Sequence, residues 1–259
     1  MGTDNTHNIK LSVIVPSYNE ASRIMTMAET LSVHLDRIVG KDKWQFVIVS
    51  NGCKDNTGQV IKTIVERWPL TLSSSLKKPN YGNALREGLK EAQGEWAFII
   101  NVDHWDPVFL SWAWQHRHMY DLFVGSKRGD PTLDGRPKFR KILTWGLNFI
   151  LQGFFGLVVT DTHGQKVLHL EILKPVLDSC VMSCGQFDTE FILRSQRRGI
   201  KIAELPVPIR ENRKQRNLML KKIAQNFVDL IKLARVLKNV PATRGVHYHR
   251  FSRIDLEGK

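Results

Sequence analysis

Asp103 and Asp106, with His104 between them and Asn101 just before, follow directly on a short apolar run, Trp96 to Ile100, in the stretch GEWAFIINVDHWDP that starts at Gly94. Carboxylates gathered where an apolar run stops suit a hard divalent cation such as Mg²⁺ or Mn²⁺, which a phosphorylated ligand can share. The same spacing also suits a strand-to-helix turn in which Asp103 or Asp106 is the N-cap of the next helix. The apolar run itself, bounded by Gly94 and Pro107, has the signature of a strand buried on both faces. In an open α/β sheet the carboxyl edge of such a strand is where ligands bind.

Other elements deliver polar loops in the same way. Leu11 to Val15 is a β-branched run that ends at Pro16, Ser17, Tyr18, Asn19 and Glu20, with a helical pattern from there to Val39. Gln45 to Val49 repeats the event, ending in Ser50, Asn51, Gly52 and Cys53, and a helix opens at Asp55 to Thr57 and runs to about Trp68. A short strand is expected at Leu70 to Leu72, then a loop, Pro79 to Asn83, ahead of a helix from Ala84 to Ala92. Strands alternating with helices of this length predict a mostly parallel sheet with right-handed crossovers.

The second half reads as a helix near Val108 to Met119, a strand from Asp121 to Gly125, and a basic loop from Lys127 to Lys141 around Asp130 and Asp134. Ile142 to Val159 has nearly the length of a membrane span, but Thr144, Asn148, Gln152 and three glycines make an amphipathic or interfacial helix the better reading. After the loop DTHGQK, Asp161 to Lys166, a helix from Gln186 to Arg198 carries Asp188 and Glu190 near its start, where the helix dipole favours acids. A strand follows from Lys201 to Leu205. Gln215 to Lys238 places Met219, Ile223, Phe227, Leu230, Ile231, Ala234 and Leu237 at helical spacing among lysines and arginines. Such a helix either lies on an anionic membrane surface or packs on its own domain with solvated lysines.

Composition narrows the partners. A formal net charge of +13 favours anionic ones, and 42% hydrophobic content over 259 residues is enough for a full core. Nucleic acid is disfavoured, since zinc spacing, RNP-type aromatics and a helix-turn-helix signal are all missing from the sequence. Three cysteines, Cys53, Cys180 and Cys184, are too few and too poorly spaced for a disulfide framework. The opening MGTDNTHNIK is polar and reads as lacking a secretory signal, which leads to the expectation of a cytoplasmic setting.

In combination, VIVPSYNE (Val13 to Glu20), VIVSNGCKDNT (Val47 to Thr57), NYGNALREGLKEAQGEW (Asn80 to Trp96), NVDHWDP, DTHGQK and FDTEFILRSQRRGIKIAELPV (Phe187 to Val207) are recognisable. Over roughly Leu11 to Arg213 the chain resembles family 2 glycosyltransferases of the GT-A fold, and among them the dolichyl- or polyprenyl-phosphate sugar synthases. The resemblance implies an α/β GT-A domain over residues 11–212, its mixed, mostly parallel sheet covered by helices on both faces. A tail, 1–10, would precede it, and a basic amphipathic C-terminal segment, 213–259, would follow. It also implies an inverting, metal-dependent transfer from a UDP- or GDP-sugar.

Carried onto this sequence, the resemblance places Pro16, Tyr18 and Glu20 around the nucleoside, Asn51 at a base-recognition position, Asn80 and Gly82 under the nucleotide, and Asn101 and Val102 beside it. Asp103 matches the last aspartate of an Asp-x-Asp metal motif whose first position is Asn101, and Asp106 is a further carboxylate for the same ion. Ser50 and Asn51 also stand where the family has aspartates, and DTHGQK is shorter than the family's segment facing sugar and acceptor. Arg210, Arg213 and Lys214 are placed to clamp phosphates, with Asp161 and His163 in the acceptor loop. A polyprenyl phosphate acceptor needs no strong base, whereas a sugar hydroxyl would draw on Glu190 or Asp188. The expected setting is peripheral, on the cytoplasmic face of a membrane. The rival readings are a soluble enzyme acting on a polysaccharide or glycolipid hydroxyl, and a nucleotide-sugar-binding pseudoenzyme.

Overall fold

The computed structural model describes residues 8–128, 130, 132, 135, 138–183, 185–208, 219–238, 240–241 and 245–257. The chain forms two compact units. One runs to Arg117 and takes up Gln165–Lys174 again, and the other comprises His118–Gly164 and the chain from Pro175 onward. The expected boundary near residue 212 lies outside the described residues.

In the first unit the chain passes through β1 (Leu11–Ser17), α1 (Ile24–Ile38), β2 (Trp44–Asn51), α2 (Thr57–Arg67), β3 (Leu72–Leu76), α3 (Tyr81–Glu91), β4 (Trp96–Ile99) and α4 (Pro107–Gln115). In the second it forms β5 (Leu122–Ser126) and α5 (Lys138–Phe155). It returns to the first for β6 (Lys166–His169). The boundary is crossed again inside α6 (Leu170–Ser179), and the second unit is completed by α7 (Phe187–Arg197), β7 (Ile202–Pro206), α8 (Met219–Leu237), β8 (Tyr248–Arg250) and α9 (Arg253–Glu257).

β1 is the centre of the first unit. Every residue of β1, β2 and β4 is buried, as expected of strands covered on both faces. β1 pairs in parallel with β2, Leu11 opposite Trp44 through Ser17 opposite Ser50, and with β4, Leu11 opposite Trp96 through Ile14 opposite Ile99. β3 adds to β2 in parallel, and β6 runs antiparallel to β4. In the second unit β7 pairs in parallel with β5 and β8. The mixed, mostly parallel α/β architecture is therefore as expected.

Several elements depart from the sequence reading. β3 lies at Leu72–Leu76 rather than Leu70–Leu72, because an edge strand with three consecutive serines, LSSSL, takes its register from β2 and not from an apolar run. α3 begins at Tyr81, three residues early, since Asn80 caps it. β6, α6, β8 and α9 were not anticipated. β6 and β8 are only four and three residues long and carry little periodicity of their own. In α8 the buried leucines are Leu230, Leu233 and Leu237, while Ile231 and Ala234 of the expected stripe are exposed. Among the described residues, no helix is long and apolar enough to cross a membrane.

α3 lies directly on β1 and β2, and Gly88 sets how close it comes. A Cβ there would stand 2.6 Å from Cγ2 of Ile14, a fully buried strand residue, and 3.4 Å from Cγ2 of Val49. Gly88→Ala gains helix propensity of about 1 kcal/mol but forces overpacking that costs about 1–3 kcal/mol. Denaturant titration should show a net loss of stability. A more stable variant would mean that α3 is free to move outward.

Candidate functional site

Because β1, β2 and β4 are parallel and in register, the loops after them emerge at one edge of the first unit. These loops are tied by side chains rather than by secondary structure. The Thr57 hydroxyl accepts from the Glu20 backbone N–H at 2.8 Å and donates to Oδ1 of Asp55 at 2.5 Å. Asp55 also accepts from the N–H of Thr57 at 3.1 Å and of Ala21 at 3.2 Å. The Thr57 hydroxyl, followed by these backbone donors, holds the Asp55 carboxyl below its ordinary range. Asn19, at φ +54°, accepts from the Lys54 N–H at 2.8 Å, and Cys53 Sγ donates to the Ser17 carbonyl at 3.2 Å. Asparagine tolerates this left-handed backbone better than most residues.

The residues expected around a nucleoside stand on this scaffold. Pro16 is buried in β1, and Tyr18 is 44% exposed in the loop that follows. Glu20 is buried, its Oε2 3.1 Å from Nε of Arg23. Asn51, buried at the end of β2, accepts the Asn80 N–H on its Oδ1 at 2.7 Å, and Asn80 in turn caps α3 by accepting from the Asn83 N–H at 3.0 Å. A backbone N–H requires an acceptor, so the Asn51 amide must turn its oxygen to Asn80 and keep its NH₂ for other partners. An aspartate would have bound Asn80 equally well but would have had only acceptors to offer a ligand. Gly82 is buried in the first turn of α3. Gly52, at φ +66°, lies so close to the same loop that a Cβ would stand 2.6 Å from the Pro79 nitrogen.

At the end of β4 the two aspartates take different roles. Asn101 and His104 close a tight turn, His104 N–H to Asn101 O at 3.1 Å, with Val102 buried and Asp103 exposed between them. Asp106 is the N-cap of α4. It is buried, its Oδ1 accepts the Val108 N–H at 3.1 Å, and its own N–H donates to Gln165 Oε1 at 3.0 Å. The expectation that Asp106 adds a carboxylate for a cation thus meets a capping residue, and the solvent-facing carboxylate is that of Asp103. Among the described residues, no three of His, Cys, Asp or Glu converge as a metal cage. One exposed carboxylate beside an amide oxygen nevertheless fits Mg²⁺ or Mn²⁺ shared with a ligand's phosphates, since Mg²⁺ is commonly held by one or two carboxylates while keeping waters and phosphate oxygens.

In the second unit the expected carboxylates Glu190, Asp188 and Asp161 are buried, and His163 is half-buried. Both Glu190 oxygens lie in a fully buried pocket, accepting from the N–H groups of Val181 and Met182 at 2.9 and 2.7 Å and from Nε of Arg194 at 2.7 Å. Asp188 is buried in the first turn of the same helix. Asp161 accepts from the His163 N–H at 3.0 Å and the Lys127 N–H at 3.3 Å, with Lys127 Nζ at 3.6 Å. Burial opposes its ionisation, but Lys127, then His163 and the two N–H donors, outweigh burial and hold its carboxyl below the ordinary value. His163 Nε2 lies 2.7 Å from the Gly185 carbonyl and so carries the proton, while Nδ1 meets the Thr162 hydroxyl at 2.9 Å, which itself reaches Thr189 at 3.0 Å. Arg210, Arg213 and Lys214 lie outside the described residues.

Sequence reasoning missed a further buried carboxylate. Glu204 of β7 accepts from the Thr160 N–H at 2.9 Å and from the Tyr248 hydroxyl. Burial, then the Glu204 charge, keep the Tyr248 phenol well above its usual range. Its partner stands on β8, 44 residues away, so no local signal marked it. The Asp55–Thr57 tie was more accessible, because an Asp two residues before a Thr that opens a helix is an Asx-turn pattern. Lys166, completely buried at the start of β6 opposite Ile99 of β4, was read only as the end of a loop.

Residues 12–111 match the family model described as Glycosyl transferase family 2. A dolichyl-phosphate beta-glucosyltransferase of Trichomonas vaginalis is 26% identical over 239 residues, covering 88% of this chain and 73% of that protein. Among solved structures, the mannosyltransferase PcManGT from Pyrobaculum calidifontis, in complex with GDP-Man and Mn²⁺, aligns with a TM-score of 0.60 at 19% identity, over 92% of this chain and 67% of that one. Glucosyl-3-phosphoglycerate synthase from Mycobacterium tuberculosis, in complex with Mn²⁺, UDP-glucose and phosphoglyceric acid, aligns with a TM-score of 0.58 at 18% identity, over 88% and 80%. The fold is GT-A.

The carboxylates separate by what their removal does. Glu190→Ala leaves the buried Arg194 and two N–H groups without their acceptor and should cost about 3–5 kcal/mol in denaturant titration. Asp103→Ala, at an exposed turn tip, should stay within about 0.5 kcal/mol of wild type. Equal losses would remove the distinction. Asp161 has a depressed folded-state pKa, so its contribution to stability is present above the ordinary value of 3.8 and is lost as pH falls through the folded value. Asp161→Asn should therefore flatten the acid limb of the stability curve below that pH. An unchanged limb would show that Lys127 and the loop N–H groups do not stabilise the charge.

Proposed function

We propose, proceeding from the match of residues 12–111 to the family 2 glycosyltransferase model, that the chain moves a sugar from a UDP- or GDP-sugar to the phosphate of a polyprenyl-type lipid, with inversion at the sugar carbon. In this reading an oxygen of the acceptor phosphate forms the new bond to the anomeric carbon. The bond from that carbon to the donor diphosphate breaks on the opposite side, and the nucleoside diphosphate leaves with the electron pair. The acceptor oxygen is already an anion, so no proton has to be removed. What supports a phosphate over a hydroxyl acceptor is the state of the carboxylates a hydroxyl would require, since Glu190, Asp188 and Asp161 are all buried and the oxygens of Glu190 and Asp161 are engaged by N–H groups and cations. The name of the Trichomonas vaginalis relative points to the same acceptor class.

Tyr18, Pro16, Glu20, Asn51, Asn80, Gly82 and Val102 would cradle the nucleoside, with Tyr18 offering an exposed ring and Asn51 an amide N–H to the base edge. Mg²⁺ or Mn²⁺, held by the Asp103 carboxylate and the Asn101 side-chain oxygen, would neutralise the diphosphate and make it a competent leaving group. Both ligand-bearing solved structures named above contain Mn²⁺. Arg210, Arg213 and Lys214 are the groups proposed for the acceptor phosphate, and His163, whose ring nitrogens meet Gly185 and Thr162, would have to give up one of these partners to join them. A peripheral position at the cytoplasmic membrane face belongs to this reading, with the exposed Lys232, Arg235 and Lys238 of α8 facing anionic lipid. The replacement of acids by Asn51 and Asn101 favours one rival, a nucleotide-sugar-binding protein without turnover.

Calorimetric titration with UDP- and GDP-sugars, with and without Mn²⁺, tests the assignment. The expected result is binding to one nucleotide that strengthens with Mn²⁺, and loss of that metal dependence in Asp103→Ala with the fold intact. Metal-dependent binding unchanged in the variant would remove Asp103 from the cation site. Binding without transfer to a polyprenyl phosphate would favour the non-catalytic rival.

A further inference from the structure

α5 carries an apolar face that its own unit does not cover. Ile142, Trp145 and Phe149, spaced three and four residues apart, are 63%, 59% and 64% exposed, and Phe154 at the helix end is 82% exposed. The Trp145 and Phe149 rings stack at 5.8 Å, so they form one continuous surface. The glycines give independent evidence of the same opening, since a Cβ at Gly146 or Gly153, which share this side of the helix, would meet nothing within 4 Å. The opposite side is anchored, with Leu151 buried and Asn148 donating to the Thr160 carbonyl. An anchored helix with exposed aromatic residues is a surface built to meet something apolar.

Charge identifies what that is. The first turn of α5 contains Lys138, Arg140 and Lys141, preceded by Arg136, and it has no acid. From Gly135 to Thr160 the sequence contains neither Asp nor Glu. The helix N-terminus adds the positive end of its dipole to these cations. Tryptophan and phenylalanine on a helix whose opening sequence is basic match the boundary between acyl chains and anionic headgroups. A protein partner or a second copy of this chain would have to meet four cations with its own acids, and the +13 net charge of the chain works against self-association.

We propose that α5 is a membrane-docking helix that lies in the surface of an anionic bilayer, with Trp145 and Phe149 inserted to the level of the headgroups and the basic first turn held by lipid phosphates. The proposed lipid acceptor supplies the reason for docking, while the docking itself is measured without donor, metal or acceptor, so that the two readings fail separately.

The test is flotation of the full chain with vesicles of phosphatidylcholine alone or with about one third phosphatidylglycerol. The variants are Trp145→Ser/Phe149→Ser and Lys138→Gln/Arg140→Gln/Lys141→Gln, with circular dichroism to confirm folding. Wild type should float with the anionic vesicles, and the aromatic variant should bind at least about tenfold more weakly at any salt concentration. The charge variant should lose the salt-sensitive part of the binding. A wild type that does not float, or an aromatic variant that floats as well as wild type, overturns the proposal. So does sedimentation showing that the stripe joins two copies of the chain.

Discussion

The parallel pairing of β1 with β2 and β4 is the constraint on which the site in the first unit depends. Parallel strands in register must end on the same side, and each ending releases backbone N–H and C=O groups that no ladder bond satisfies. The sequence meets this demand with short polar side chains at the strand ends. Thr57 and Asp55 take the N–H groups of Glu20 and Ala21, Asn19 takes that of Lys54, and Asn51 takes that of Asn80. The bonds that satisfy the loops are therefore also the bonds that shape them. At the end of β4, Asp103 is exposed at the turn tip, while Asp106 is committed to capping α4.

The second unit uses its carboxylates differently. Glu190, Asp161 and Glu204 are all buried, and each gathers donors from a loop that would otherwise lack partners. A buried carboxylate with two or three donors is favourable only while all of them stay in place, which ties residues distant in sequence into one cooperative arrangement. The sequence marks these acids but not the donors that gather on them, because several of those donors lie on loops and strands distant in the chain.

This explains where the sequence was legible. The buried strands β1, β2 and β4 announced themselves by apolar runs stopped by polar residues, and their helices by period, so the architecture and the position of the polar loops after these strands were readable. β3 was misplaced and β6 and β8 went unseen, because short or edge strands take their register from a neighbour and carry little pattern of their own. Asp103 and Asp106 were correctly left between two roles, since nothing in the spacing says which of them the helix will take. That Glu190 is buried and fully bonded could not be read from the sequence, as its partners Val181 and Met182 come from a loop with no signature at all.

The asparagines at positions 51 and 101 need not signal decay. In the proposed reading a diphosphate carrying at least two negative charges comes to this edge, and every carboxylate there repels it unless a cation intervenes. Asparagine keeps a side-chain acceptor, which at position 51 serves the Asn80 N–H, while removing the charge. At Asn51 the exchange also converts an acceptor into a donor toward the ligand. With fewer acids to neutralise, the cation has less repulsion to offset, and the +13 chain contributes more of the attraction itself. A site of this kind would lean less on its metal than one with acids at all these positions. Its residual metal dependence would then reside in Asp103 alone, because Asp106 is already engaged at the head of α4.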